Sequence, residues 1–467
     1  MGFSLSLLPD ILISLFYHDH EAIHFASIFA VIFLFGAILW LATRHKVLNL
    51  SVRDGFLIVV IFWVLISLLA SWPLFLGAHL SFVDAIFESI SAFTTTGSTV
   101  ITNLDVLPKS ILFYRQELQW FGGMGMVVLA IAVLPMIGVG GMQLYKAEAP
   151  GPFKEQKMTP RLSQTARSLW GIYVIMTLSC ALAYWFAGMT PFDALSHSLS
   201  TVSTGGFSTH NESLGYFHSR TIEGVAIFFM LLGAINFSIH YIVWRSGSLK
   251  AYFLDVEVRN FLLFVIGVVL FSSVLLFKQG TYLSFFDSFE NAFFEVVTIV
   301  TSTGFGTADF SAWPGALPVL LIFISFVGGC GGSTAGGVKV MRINVIVQQG
   351  LREIKRLIHP HALYPIRVGK QLLEEKTVEA VWGFIAMYML VFVILMLFMI
   401  QTGLDQVTAF SAIATCMNNL GPGLGDVTTT FAGISDSGKI IAMIAMLLGR
   451  LEVFTVLVIL TPSFWRQ

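Results

Sequence analysis

Long apolar runs alternate with short polar joints along this chain, and each run suffices to cross a hydrocarbon core of roughly 30 Å, which takes about 20 helical residues. The pattern predicts spanning helices over about 22–42, 55–77, 117–140, 168–188, 221–244, 260–277, 314–343, 378–402 and 440–461. Helices are expected because lipid offers no partner to unpaired backbone groups and no short alternating strands occur.

Between pairs of these runs lie four stretches too short to span: DAIFESISAFTTTGST, DALSHSLSTVSTGGFST, NAFFEVVTIVTSTGFGT and TAFSAIATCMNNLGPGL. They align without gaps. Asp84, Asp193, Asn291 and Thr408 each precede an Ala and each stands 13 residues before a glycine: Gly97, Gly206, Gly304 and Gly421. A helix of that length rises only about 20 Å, so it must enter and leave by one face. Re-entrant backbone is tolerated at membrane depth only where it is buried in protein or lines water. The fold expected is therefore an all-α polytopic membrane protein of four pseudo-repeated helix–pore-loop–helix units around one central pore, preceded by N-terminal extra helices. The units divide as extra transmembrane helices 1–54, pore unit 1 over 55–142, a cytoplasmic linker 143–167, unit 2 over 168–245, a linker 246–259, unit 3 over 260–343, a linker 344–376 and unit 4 over 377–467.

Composition agrees with a membrane protein: the 467 residues are 56% hydrophobic and 11% charged, with a mean hydropathy of +0.82, against about a quarter charged in soluble domains. The net charge of -1 says nothing about partners, but its distribution does. Of the 26 basic residues, Lys109, Arg115, Arg220, Lys278 and Lys439 fall in segments assigned outside, and Arg450 falls within a span. The rest fall inside, the positive-inside signature of an inner-membrane protein. Cys180, Cys330 and Cys416 lie in apolar or Gly-rich stretches without metal-ligand spacing and read as small buried hydrophobes. No basic stretch with a small-residue cleavage site opens the chain, so no signal peptide is expected.

Carbonyls aimed at an axis can replace the hydration oxygens of a cation without a full negative charge. Glycine allows the close approach and positive φ such loops need, and each short helix directs its C-terminal dipole at the loop. The candidate cation-binding residues are Thr95, Thr96 and Gly97, Thr204, Gly205 and Gly206, Ser302, Thr303 and Gly304, and Asn419, Leu420 and Gly421. Any single loop could equally be an ordinary Gly/Thr turn; four gapless copies favour a common site.

Arg450 falls near the middle of the last predicted span, where a charge costs at least about 2.5 to 3.5 kcal/mol. It is expected to face protein or water, with an ion pair to Glu452 or another buried acid, and snorkelling, as the alternatives to a pore role. The run GGCGGSTAGGVK, which holds Gly328, Gly329, Gly331, Gly332, Gly336, Gly337 and Lys339, interrupts an otherwise helical segment. Close helix packing through Gly328 and Gly332 is one reading; the glycine density favours an unwound loop. Trp63, Trp72, Trp120, Trp313 and Trp465 read as interfacial anchors, and His197 and His240 as packed or pore-wall residues.

The stretches FYRQELQWFGGMGMVVLAIAVLP, YKAEAPGP, GMTPFDALSHSLSTVSTGGFSTH, FVGGCGGSTAGGVKVMR, NNLGPGLG and LGRLEVFT resemble the TrkH family of bacterial Trk potassium-uptake systems, of the Trk/Ktr/HKT superfamily, from about Asp54 to the C-terminus. The resemblance implies K⁺ as the permeant ion at the backbone carbonyls, no organic cofactor, and a homodimer with one pore per subunit. It also implies a cytoplasmic TrkA-type nucleotide-binding ring that governs gating, with Arg450 and the glycine run as the gate below the filter. The N-terminus departs from the family: its first extra helix reads as clipped, leaving Leu5 to Tyr17 interrupted by Pro9 and Asp10. Two mechanisms stay open, a gated passive pore and a symporter coupled to H⁺ or Na⁺. An enzyme is not expected, because the spans hold no catalytic Ser/His, paired-carboxylate or metal constellation, and nothing suggests nucleic acid.

Overall fold

A computed structural model describes residues 2–44, 52–128, 162–369 and 371–466. The chain opens with a short turn of helix α1 (Gly2–Leu5), then α2 (Leu7–Tyr17) and the long α3 (Ala22–Thr43). The expected interruption at Pro9 and Asp10 does not occur. Pro9 falls in the first turn of α2, where its missing N–H is harmless, and the break comes at Ser6.

Each repeat follows one plan. Unit 1 is α4 (Val52–Gly77), the short α5 (Phe82–Phe93), a loop, and α6 (Lys109–Val128). Unit 2 is α7 (Leu162–Phe186), short α8 (Pro191–Val202), then α9 (Arg220–Gly233) and α10 (Phe237–Ser246), followed by a connecting α11 (Lys250–Leu254). Unit 3 is α12 (Val256–Lys278), α13 (Phe285–Val300), α14 (Leu317–Ser325) and α15 (Val340–Ile358). Unit 4 is α16 (Glu375–Gln401), short α17 (Gln406–Met417), α18 (Asp436–Arg450) and α19 (Val453–Leu460), closed by α20 (Pro462–Trp465). Between α15 and α16, Arg367–Val368 and Gln371–Leu372 pair antiparallel, a small departure from the all-α expectation.

Local chemistry starts the short helices in the same way. Ser81, Thr190 and Ser284 each accept the backbone N–H three residues on, from Asp84, Asp193 and Asp287, and each hydroxyl donates back to that carboxylate. Each is an N-cap that also fixes the acid of the first turn. Asp405 accepts from the Val407 and Thr408 N–H groups at the start of α17. The last six residues of α5, α8, α13 and α17 are all buried, which fixes these helix ends inside the protein rather than against lipid.

Three predicted spans are broken. α9 and α10 meet at 97° and α18 and α19 at 110°, where the sequence pattern implied single helices over 221–244 and 440–461. The segment 314–343 is helical only to Ser325 and from Val340, with the glycine run unwound between. Hydropathy measures how much apolar chain is available, not its direction, so it cannot register these bends. The end of the span predicted to 140, and linker residues 143–161, lie outside the described residues.

Several expected surface residues are interior. Trp63 is 2% exposed and tilts against Phe93, and Trp313 is also buried, so neither is an interfacial anchor; Trp72 and Trp465 are exposed. Arg115 and Lys439, counted as outside charges, are buried in α6 and α18, paired with Glu88 and Asp84. His197 and His240 are packed, as expected, with both ring nitrogens of each in hydrogen bonds.

Candidate functional site: a ring of four glycine loops

The four loops after the short helices adopt one backbone shape. The residue two before each glycine is non-glycine at positive φ, namely Thr95 (54°), Thr204 (52°), Ser302 (54°) and Asn419 (50°). Gly97, Gly206, Gly304 and Gly421 follow at 80°, 78°, 80° and 98°. The left-handed turn is costly for an L-residue with a side chain, so its recurrence in four loops marks a shape imposed by the surroundings.

These loops close on one another. A Cβ on Gly97 would run into the Gly205 carbonyl oxygen, one on Gly206 into that of Thr303, one on Gly304 into that of Leu420, and one on Gly421 into that of Thr96. Loop one thus abuts loop two, two abuts three, three abuts four and four returns to one. The carbonyls involved occupy equivalent places in the repeat, directly before each glycine. The structure brings together all twelve residues singled out in these loops.

Behind the ring, each short helix clamps its own loop through a side chain on the same turn. The Val100 N–H donates to Glu88 Oε2 at 2.9 Å, and the Thr307 and Ala308 N–H groups donate to Glu295 Oε1 at 3.1 Å. His197 Nε2 lies 2.9 Å from Ser208 Oγ, and the Leu424 N–H donates to Ser411 Oγ at 2.9 Å. Glu88, His197 and Glu295 hold the same position of the repeat; Ser411 stands one residue earlier. Glu88 is neutralised by Arg115, whose Nε and Nη2 donate to Oε1 at 2.8 and 2.6 Å while its guanidinium lies over the Phe207 ring. These acids face the loop backbone and leave the ring to uncharged groups.

Further clamps escape sequence reasoning. Gln119 on α6 donates to the Gly205 carbonyl at 2.5 Å and accepts the Phe207 N–H at 3.1 Å, gripping loop two on both sides of Gly206. Asn419 Nδ2 donates to Thr96 Oγ1 at 2.9 Å and ties loop four to loop one. Tyr388 donates to Asn418 Oδ1, and Asn418 Nδ2 donates to Ser325 Oγ. The one signal for Gln119 is the polar run Gln116–Glu117–Leu118–Gln119 inside an apolar span.

The glycine run forms the floor. Gly328, Gly332, Gly337 and Lys339 all have positive φ, which no helix accommodates, so the close-helix-packing reading is set aside. The Cys330 N–H donates to the Ala234 carbonyl and the Phe237 N–H to the Gly332 carbonyl, so the run fills the bend between α9 and α10. The Gly331 N–H donates to Glu257 Oε1 at 2.8 Å. Thr334 Oγ1 donates to the Gly233 carbonyl at 3.0 Å and sits 3.1 Å from that of Val202. The Gly336 N–H donates to Ser302 Oγ at 3.1 Å, and a Cβ on Gly336 would overlap the Asn418 carbonyl. The run therefore lies directly against the ends of the second, third and fourth short helices.

Arg450 ends α18 rather than standing mid-span. It is 2% exposed; Nη1 donates to the Thr334 carbonyl at 2.9 Å and Nη2 to the Gly122 carbonyl at 3.0 Å. The expected alternative of a pair with Glu452 does not occur, because Glu452 accepts from Arg342 at 3.0 Å. Snorkelling is excluded by the burial. A cavity beneath the ring is lined by Gly336, Lys339, Arg342, Asn419, Arg450 and Glu452, among others.

Comparison with known proteins agrees with this architecture. The family model TrkH, cation transport protein, matches residues 21–466. The chain is 51% identical over 469 residues to the Trk system potassium uptake protein TrkH of Vibrio parahaemolyticus, covering all of this chain and 97% of that protein. It is 47% identical to TrkH and 41% identical to TrkG of Escherichia coli, in each case over the whole of this chain and at least 96% of the relative. The crystal structure of the potassium transporter TrkH from Vibrio parahaemolyticus superposes with a TM-score of 0.92 at 48% identity, over 99% of this chain and 97% of that one. With one family model spanning the repeats and full-length relatives at this identity, the chain belongs to the TrkH family of cation transport proteins.

Proposed function

We propose that the chain takes up K⁺ across a bacterial inner membrane, through a pore whose selective part is the ring of four glycine loops. The observation that carries this reading is the closure of the ring, in which the carbonyls of Thr96, Gly205, Thr303 and Leu420 each meet the glycine of the adjoining loop. Carbonyl dipoles there replace the water shed by the ion, and the C-terminal ends of α5, α8, α13 and α17 add partial negative charge. The names of the relatives supply K⁺ as the ion. No reaction is catalysed.

Below the ring, the run from Gly328 to Lys339 and the Arg450 guanidinium form one barrier. The run obstructs the path, and the fixed positive charge raises the energy of a cation at that level. The hydrogen bond from Arg450 to Thr334 joins the two parts. The barrier opens under a cytoplasmic TrkA-type nucleotide-binding ring, and the chain works as a homodimer with one pore per subunit; the family likeness supports both.

The competing mechanism is symport with H⁺ or Na⁺. Rubidium-tracer uptake into liposomes that contain the purified chain separates the two. A pore predicts uptake that follows the K⁺ diffusion potential alone. Uptake that requires an imposed proton or Na⁺ gradient would overturn the passive reading.

A further inference from the structure

The N-terminal hairpin carries a pair of acids that the ring and its floor do not use. α2 runs antiparallel to α6: Asp19, just past the end of α2, accepts the Ser110 N–H at the start of α6 at 3.0 Å, and about two turns further along Asp10 comes level with Glu117. Asp10 shares the buried face of α2 with Leu7 and Ser14 and is 0% exposed; Glu117 is 6% exposed. Both carboxyl groups lie in the buried seam between the packed helices α2 and α6, at matching levels of the two. Yet neither oxygen of Asp10, nor Oε2 of Glu117, has a hydrogen-bond partner among the described residues.

The charged groups nearby are engaged elsewhere, while Gln116, beside Glu117, and Ser110 have buried side chains without a hydrogen-bond partner among the described residues. On α6, the Tyr114 hydroxyl donates to the Ala70 carbonyl of α4, Arg115 is held by Glu88, and Lys109 lies over the Phe192 ring. On α2, Ser14 donates to Asp19, and before α3 Glu21 is paired with His24. Two carboxylate oxygens are both acceptors, so they can touch only with a hydrogen between them, and two carboxylates side by side in apolar surroundings do not both ionise. Two carboxyl groups are also far short of the about six to eight oxygens a calcium ion takes, and no cluster of three or more His, Cys, Asp or Glu fit for a metal occurs among the described residues.

We infer that Asp10 and Glu117 form a proton-binding site, in which one proton shared by the two carboxyl groups fastens the N-terminal hairpin to α6. The same helix carries Arg115 and Gln119, the clamps of loops one and two, so the site braces the back of the ring. A proton held only when α2 and α6 are packed is a ligand of the assembled state, and alkaline pH withdraws it.

The test is infrared difference spectroscopy on the full chain in lipid nanodiscs at neutral pH, wild type minus Asp10→Asn and wild type minus Glu117→Gln. The expected result is a protonated-carboxyl C=O band that shifts in D₂O and disappears in both variants. The thermal midpoint should fall towards alkaline pH in the wild type and lose that step in both variants. A missing band in both difference spectra would overturn the site. So would a midpoint set by Na⁺ or K⁺ concentration at constant ionic strength, since a cation would then occupy it. If a single variant does not fold, Asp10→Leu with Glu117→Leu fills the face with apolar groups, and persistence of the band there would equally overturn the assignment.

Discussion

Gln119 shows how one uncharged side chain can set the geometry of a loop it does not belong to. Replacement by Leu removes both of its bonds and leaves the Phe207 N–H buried without a partner, which costs about 1–3 kcal/mol. Gln119→Leu is therefore expected to lower the thermal midpoint modestly and to blur K⁺ over Na⁺ discrimination in rubidium uptake; a variant destabilised but unchanged in discrimination would reduce Gln119 to a packing role. Arg450→Ala takes away the link between Thr334 and Gly122 together with the buried charge. Higher basal rubidium flux at an unchanged size-exclusion profile is expected, and well-folded protein with wild-type flux would remove Arg450 from the barrier. The sequence made the glycines readable because their spacing repeats, and it made Arg450 conspicuous because charge is rare in a span. Gln119 and the Asp10–Glu117 pair depend on which helices meet, and no periodicity within one segment records that.

At the scale of elements, the short helices were legible and the bends were not. The capping positions Ser81, Thr190 and Ser284 and the apolar runs behind them announce helices too short to span. By contrast, the turn at Asn236 and the turn at Leu451–Glu452 interrupt apolar stretches that remain long enough to cross. Asn236 accepting the Ser238 N–H at the start of α10 was the available sign of a new helix. The unwound run makes its own prediction. Gly336→Ala places a methyl against the Asn418 carbonyl, should push the run off the underside of the loops, and should raise basal flux measured without any partner; unchanged flux would place the obstruction elsewhere. We propose α15 as the docking surface for the TrkA-type ring, because its last turn carries Lys355 and Arg356. Arg352 is 6% exposed and bonded to Glu375 at 2.8 and 2.9 Å, so reversing it would disturb the fold rather than the surface. Lys355→Glu with Arg356→Glu is the cleaner change, next to exposed Leu351, Ile354 and Leu357. It should weaken binding of a TrkA-type ring and lessen its salt sensitivity, measured by co-purification across salt; unaltered binding would move the docking surface off this helix.

For the whole molecule, four units that share a loop shape but not a sequence build one closed ring, and the outer loops are tied across units. His210, in the loop after unit two's ring segment, is such a tie: it stacks on Tyr216 at 3.6 Å and bonds Asp105 at 3.0 Å. Burial opposes its charge, but the Asp193 carboxylate 3.6 Å away and the Asp105 carboxylate bonded to it outweigh that and raise its pKa above the ordinary value. A raised histidine stabilises the fold fully below its unfolded value of about 6.5 and loses that contribution as pH climbs through the folded value. The thermal midpoint of the wild type should thus fall as pH rises from about 6.5 through the folded value, and His210→Gln should flatten this segment of the profile. The ring itself admits a more direct test. Each of its glycines has a positive φ and faces a neighbouring carbonyl, so a serine there strains the turn by about 1–2 kcal/mol and displaces that carbonyl. The decisive measurement is competition of K⁺ and Na⁺ against rubidium uptake in liposomes, for the wild type and for Gly97→Ser, Gly206→Ser, Gly304→Ser and Gly421→Ser. K⁺ should compete well ahead of Na⁺ in the wild type, and each substitution should narrow the gap by about tenfold. An unchanged gap in all four variants would contradict the assignment of selectivity to the ring.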